Sequence, residues 1–123
     1  MFEHGKDYTR ENIHEICGGN KQSFLPIKNG RVVAACLRRD LNPQAPDVII
    51  CNSGAAARAA GRTLAGQAEA IPVFVEQSTD LLRYIGQFKV TESLTAPVDC
   101  APYAKGTSFT SGQISRVLKM QRC

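Results

Sequence analysis

Leu82, Tyr84, Gly86, Phe88 and Val90 alternate with Arg83, Ile85, Gln87 and Lys89. A repeat of two residues belongs to an extended strand, because successive side chains leave a strand on opposite faces. The run therefore predicts a strand over 81–91 with one apolar and one mostly polar face. Just upstream, Ile71-Pro72-Val73-Phe74-Val75 is a second β-forming run. Pro72 sits near its start, where a missing N–H does least harm. Ser78-Thr79-Asp80 supplies a turn, so the two runs predict a hairpin against which the rest of the chain must pack.

The remaining elements follow from shorter signals. Thr9 offers an N-cap, Glu11 favours the first turn, and Ile13 and Ile16 lie three apart; this predicts a helix over 10–17, stopped by Gly18-Gly19. Residues 1–8 read as extended chain. Asn29-Gly30 fits a type I′ turn, whose two central residues need positive φ, so 23–27 and 31–37 predict an earlier hairpin. Arg38 to Pro46 is a loop holding Asn42-Pro43 and Ala45-Pro46. Asp47-Val48-Ile49-Ile50-Cys51 predicts a strand, and the alanine-rich stretch 55–68 a helix packed closely on the sheet. Residues 92–109 show no period. Thr110-Ser111-Gly112-Gln113 reads as a capping box, and Ile114, Val117 and Leu118 form a stripe that predicts a final helix with Arg116, Lys119 and Arg122 on its outer side. The expected fold class is α+β: a mixed, mostly antiparallel curved sheet or small barrel with flanking helices, in a single domain over 1–123.

Composition narrows the function classes. The 123 residues suit one domain, and 43% hydrophobic with 21% charged residues suits a packed core. No stretch approaches the ~20 apolar residues of a membrane span, and Met1 to Asp7 carries no apolar run of a leader, so the expectation is a cytoplasmic protein. Five cysteines stand far apart with no CxxC pair, which argues against a zinc ribbon or thioredoxin-like site. They read as reduced thiols, with Cys36 and Cys51 as small buried hydrophobes. A net charge of +4 fits nucleic-acid contact without requiring it.

No complete catalytic or metal-ligand motif is present. His14 and Cys17 share a helix face, but zinc needs three or four ligands and no second cluster supplies them, so no metal or cofactor is expected. Asp40, Asp47, Glu76 and Asp80 sit beside turns without a spacing that pairs them for acid–base work. Gly18 to Ser23 has the residues of a phosphate loop but not the spacing; it is either a helix stop plus a turn or a loop that meets a ligand. Asn52-Ser53-Gly54 falls between a strand and a helix, where unpaired N–H groups attract anions, unless Ser53 simply caps the helix. Arg38-Arg39, with Arg31, Arg58 and Arg62, make either an ordinary solvated face, the commoner outcome, or a positive surface for phosphates.

Ile71-Pro72-Val73-Phe74-Val75 followed by Tyr84-Ile85-Gly86-Gln87-Phe88-Lys89-Val90 resembles the paired strands of the SRA (YDG) domains that bind modified bases, a branch of the PUA-like barrels. That family pairs a "PVRV" strand with one of the type "Y-D-G-L-Y-x-V"; Ile85 stands here in place of the aspartate. Asn42-Pro43-Gln44-Ala45-Pro46 followed by Ile71-Pro72-Val73-Phe74 is also similar to small uncharacterised domains. The SRA resemblance implies a reader of DNA or of a nucleotide that works by base flipping. It implies Tyr8, Phe24 and Tyr84 as stacking residues, Gln22, Asn52 and Ser53 as readers of the base edge, and Lys21, Arg38, Arg39 and Arg58 as backbone contacts. On its alternating strand, Tyr84 more often belongs to the core. Two rival readings stand beside this one. The first is a small phage-type inhibitor that binds a host nuclease or defence complex. The second is a small enzyme acting on a nucleotide or on DNA through the loops at 18–23 and 52–54.

Overall fold

The computed structural model describes residues 2–123. In chain order they form β1 (Asp7–Tyr8), α1 (Arg10–Cys17), β2 (Ile27–Lys28), β3 (Arg31–Val32), β4 (Ala35–Leu37), β5 (Val48–Asn52), α2 (Ala55–Ala65), β6 (Ile71–Ser78), β7 (Leu81–Leu94), α3 (Pro97–Cys100) and β8 (Ile114–Arg122). One-turn 3-10 segments follow α3 and precede β8.

The β6–β7 hairpin forms as expected and is the centre of the sheet, but β7 does not keep one apolar face. The register shift at Val73/Phe74 leaves Ile85 extra, so Leu82 and Tyr84 join one core cluster while Phe88 and Ile85 join the other. Ile71 pairs with Phe88 and Ser78 with Leu81, around a turn in which Asp80 takes positive φ. The sheet order is β4-β6-β7-β8-β5, with β1 on the β7 edge at Leu82 and Arg83. Pairing is antiparallel except for β4 on β6. The ends β4 and β5 do not pair, so the sheet is curved and open, not a closed barrel.

Both faces of the sheet are buried. One face packs Ile49, Cys51, Val73, Phe88, Leu118 and Met120 against Ala60 and Leu64 of α2. Gly61 lets α2 approach closely, since a Cβ there would lie 2.8 Å from the Cys51 sulfur. On the opposite face, Ile13 of α1 packs with Tyr8, Cys36, Phe74, Leu82 and Tyr84, while Val48, Ile50, Ile114 and Val117 pack with Cys100. Two-sided burial explains why β5 and β6 read as unbroken apolar runs.

Helix α1 begins and ends where its caps place it. Thr9 Oγ1 accepts from the Asn12 N–H and Asn12 Oδ1 accepts from the Thr9 N–H, both at 3.1 Å. Asn29 and Gly30 both take positive φ, as a type I′ turn demands. The run after them does not remain one strand. Arg31–Val32 stay with β2, whereas Ala35–Leu37 leave the hairpin and pair with Val73–Val75 of β6. Helix α2 is shorter than expected and stops at Gly66. Part of the 92–109 stretch is ordered as the end of β7 and as α3.

The expected final helix is instead strand β8, and a bulge explains the difference. Cys51 pairs with Arg116 and Asn52 with Ile114, which leaves Ser115 as an extra residue. The extra residue reverses the alternation, so Ile114 and Val117, three apart, reach the same core cluster. That spacing imitates a helical stripe. Leu118 and Met120 point to the opposite, α2-covered face. The Thr110–Gln113 capping box does form, but it caps a single 3-10 turn.

This assignment makes a prediction. Leu118→Ala and Met120→Ala should each lower the unfolding free energy in urea by about 2–5 kcal/mol, the range for emptying a buried aliphatic site. A helix would carry Met120 off the apolar stripe, so a neutral Met120→Ala would contradict strand β8.

Candidate functional site

A single buried side chain crosses the gap between the two unpaired end strands. Asn42 Oδ1 accepts from the Ile50 N–H of β5 at 2.9 Å, and Asn42 Nδ2 donates to the Arg38 carbonyl, just past β4, at 3.3 Å. The Asn42 N–H also donates to that carbonyl at 2.8 Å. The donor on Ile50 requires the amide oxygen on its side, which fixes the orientation of the amide. Asn42 is 4% exposed and is the one buried polar side chain among the described residues.

Beside this bridge the gap opens into a concavity of about 820 Å3. That lies within the roughly 300–1,000 Å3 typical of small-molecule sites. Cys36 and Arg38 bring β4 to its wall, Asn52 brings β5, and Gly54–Ala57 bring the start of α2. Glu76 comes from the end of β6, Asp80 and Leu82 from the β6–β7 turn, and Phe109 from the chain before β8.

The loop between α1 and β2 closes one side with Gln22, Ser23 and Phe24. Arg10 holds that loop in place, its Nη2 donating to the carbonyls of Asn20 and Ser23, both at 2.9 Å. Asn20 Oδ1 accepts from the N–H groups of Gln22 and Ser23, and His14 Nδ1 donates to the Gly19 carbonyl at 2.7 Å. Gly19 has φ 80° and a Cβ there would meet Pro26 at 2.8 Å, so this bend needs glycine. The Gly18–Ser23 stretch is thus a helix stop that also shapes a wall.

At the start of α2, Gly54 is the N-cap and provides no side chain, and the first turn holds no acidic residue. Asn52 Oδ1 accepts from the Gly54 N–H at 2.8 Å, while Ser53 gives its carbonyl to Arg58 Nε at 2.8 Å. Ser53 is therefore neither a helix cap nor part of the concavity wall. The leading N–H groups of α2 have no capping side chain and carry the positive end of the helix dipole.

Charges in the wall are balanced. Arg10 and Arg38 face Glu76 and Asp80. Arg38 is paired with Asp40 at 2.8 Å, and Asp80 Oδ1 accepts from the Arg10 N–H at 3.2 Å. Glu76 is half-buried and has no hydrogen-bond partner among the described residues. Burial pushes the Cys36 thiol up to about 11, against a partial lowering by Arg10, and the Cys51 thiol beneath α2 up to about 12.

Four of the residues singled out in the sequence meet here: Gln22, Phe24, Arg38 and Asn52. Tyr8 and Tyr84 do not. They lie in an aromatic cluster with Phe2 and Phe74, and their hydroxyls accept from the Glu3 N–H at 2.8 Å and Gln87 Nε2 at 3.0 Å. Both are core residues. Lys21 is paired with Glu11, and Arg39 and Arg58 are exposed outside the wall. Sequence reasoning missed Arg10, Asn42 and Phe109, and it passed over Glu76 and Asp80 as turn carboxylates. The Asn42-Pro43 and Ser78-Thr79-Asp80 turn signals marked two of these positions.

A family model described as a domain of unknown function, DUF6697, matches residues 7–104. No curated protein matches the chain. Two similar solved structures are of the SUVH5 SRA domain. One is its complex with hemimethylated CG DNA, with a TM-score of 0.67 and 13% identity, covering 98% of this chain and 88% of that one. The other is bound to fully hydroxymethylated CG DNA, with a TM-score of 0.63 and 14% identity, covering 99% and 89%. The fold is therefore SRA-like over nearly the whole chain.

The site geometry carries two predictions. Asn42→Ala leaves the Ile50 N–H without a protein partner and should cost about 1–3 kcal/mol in urea denaturation. The raised Cys36 and Cys51 thiols stay protonated in the folded chain, whereas unfolded thiols ionise near 9.0. Their contribution to stability is full below that pH and is lost as pH rises from about 9 toward 11–12. Melting temperature should accordingly fall less steeply across that window in Cys36→Ala than in the parent chain.

Proposed function

We propose that this chain, which belongs to the DUF6697 family, binds duplex DNA and receives in the β4–β5 concavity a base turned out of the helix. The observation that carries the reading is the open, mixed polar and apolar concavity at the unpaired seam of an SRA-like sheet. Its SRA neighbours hold CG duplexes with methylated or hydroxymethylated cytosine, which favours a modified cytosine as the base taken in.

The wall supplies the groups that such a base requires. Cytosine presents an amino donor and needs an acceptor opposite it. Glu76 is the carboxylate without a partner, and the amides of Asn52 and Gln22 supply donors for the remaining acceptors of the base edge. Phe24 and Phe109 offer ring faces for stacking, while Cys36 and Leu82 give an apolar surface for a substituent on the ring. Arg39 and Arg58, outside the wall, and the uncapped start of α2, which lines it, would hold phosphates. Lys21 and Arg38 join them readily, because exposed ion pairs such as theirs with Glu11 and Asp40 are worth little.

Fluorescence anisotropy with plain and modified CG duplexes at about 50 and 200 mM salt tests the reading. The expected result is a preference for the modified duplex, with affinity falling steeply with salt. Phe24→Ala should cost about 1–3 kcal/mol of binding through lost stacking. Glu76→Gln should erode the preference for cytosine, and Arg39→Ala should weaken all duplexes alike. An absence of salt-sensitive binding at low salt would sink the proposal.

A further inference from the structure

Strand β7 is longer than its partner β6, and the excess leaves an open sheet edge. Strand β6 begins at Ile71, opposite Phe88, while β8 covers the other edge of β7 as far as Leu94. From Lys89 to Leu94, one edge of β7 therefore faces no strand among the described residues. Six residues at ~3.3 Å each present roughly 20 Å of free edge. Native sheets usually blunt such an edge with proline, a covering element or charges, because it is a template for another strand. This stretch contains no proline, and Lys89, Thr91, Glu92 and Ser93 are exposed.

Its two charges are arranged for self-pairing. Val90 pairs with Met120 and Glu92 with Lys119, so Thr91 is an extra, bulged residue. The bulge has a geometric consequence. In a regular strand, residues three apart point to opposite faces. Here Lys89 lies opposite Gln121 and Glu92 opposite Lys119, and Gln121 and Lys119 are two apart, so Lys89 and Glu92 share one face. The Glu92–Lys119 ion pair at 3.3 Å fits that placement. Lys89 makes no ion pair among the described residues.

We infer that this edge pairs with the same edge of a second copy, antiparallel about a two-fold axis beside Val90 and Thr91. Each Lys89 then stands opposite Glu92 of the second copy on the same sheet face, and each Val90 opposite the other Thr91. A two-fold axis repeats the charge pair, and each Glu92 carboxylate bridges its own Lys119 and the incoming Lys89. Without the bulge this register would set Lys89 and Glu92 on opposite faces. One added ladder per dimer is a small interface, so the association is weak and reversible.

Sedimentation across micromolar to millimolar concentration tests this. The expected result is a concentration-dependent dimer. Lys89→Glu and Glu92→Lys should each weaken it by about tenfold, since two symmetry-related pairs turn from attraction to repulsion. The double reversal K89E/E92K should dimerise more strongly than either single reversal, because the inter-copy pair is re-formed with its signs exchanged, while loss of the Glu92–Lys119 pair keeps it short of the parent. Thermal unfolding of the dilute variants checks that each monomer stays folded. A chain that is monomeric throughout, a dimer indifferent to either single reversal, or a double reversal that stays monomeric would each overturn the inference.

Discussion

The seam between β4 and β5 is closed by a side-chain amide in place of a backbone ladder, and the concavity depends on that substitution. A primary amide carries one acceptor and donors on adjacent atoms, the same complement as a peptide group. Asn42 uses it to join Arg38 to Ile50 while the strands themselves stay apart. Gln67 does the same on the far side of α2. Its Oε1 accepts from the Val32 N–H at 2.5 Å and its Nε2 donates to the Val32 carbonyl at 3.1 Å, which ties down β3. Asn42 thus bridges two strand ends, whereas Gln67 ties β3 of the small hairpin to the chain after α2. A full backbone ladder at the β4–β5 seam would close the sheet and leave no opening between Cys36 and Asn52.

Curvature has a separate origin. Pairing shifts register between Cys51 and Asn52, in two places along β6–β7, and between Val90 and Glu92. Each irregularity adds local twist and bends its strand. The Cys51–Asn52 shift occurs at the point where β5 reaches the wall of the concavity, so one bulge both ends the regular ladder and sets the aim of Asn52. The price of these shifts is small because the adjoining positions are buried on both faces, where Phe74, Ile49 and Leu118 lock the strands in place.

The sequence made the hairpin core legible because each signal there was local. Alternation in 81–91 located β7 but not its faces, since the shift at Val73/Phe74 leaves Ile85 extra and sends Leu82 and Tyr84 to one core cluster and Phe88 to the other. Asn29-Gly30 reflects backbone sterics, and the caps of α1 lie within the helix they bound. Strand β8 was illegible for the opposite reason: the bulge at Ser115 is set by the partner strand β5, and it converts a period of two into a spacing of three. The parallel pairing of β4 with β6 joins segments nearly forty residues apart and leaves no local mark. The site was half legible. Gln22, Phe24, Arg38 and Asn52 sit at loops and strand ends, where polar residues in a sequence invite attention. Tyr8 and Tyr84 were misplaced because an aromatic suited to stacking on a base is equally suited to stacking on Phe2 and Phe74. Asn42 looked like an ordinary turn residue, since its value lies in the two strands it comes to rest between.

The distribution of commitments in the wall bears on what the concavity would accept. Arg10 spends its guanidinium on two loop carbonyls and Arg38 spends its own on Asp40. Asp80 is engaged by the Arg10 backbone. What remains free inside is one carboxylate, Glu76, the uncapped start of α2, and neutral amide, aromatic and aliphatic surface. A phosphate seated beside Glu76 would bring like charges together, which is costly, whereas one at the uncapped start of α2 or near Arg38 would meet positive charge. A neutral ring with an amino donor meets none of that penalty. Arg39 and Arg58 lie outside the wall, Arg58 with its Nε on the Ser53 carbonyl. Beside Glu76, then, the wall is better suited to a neutral ring than to a phosphate.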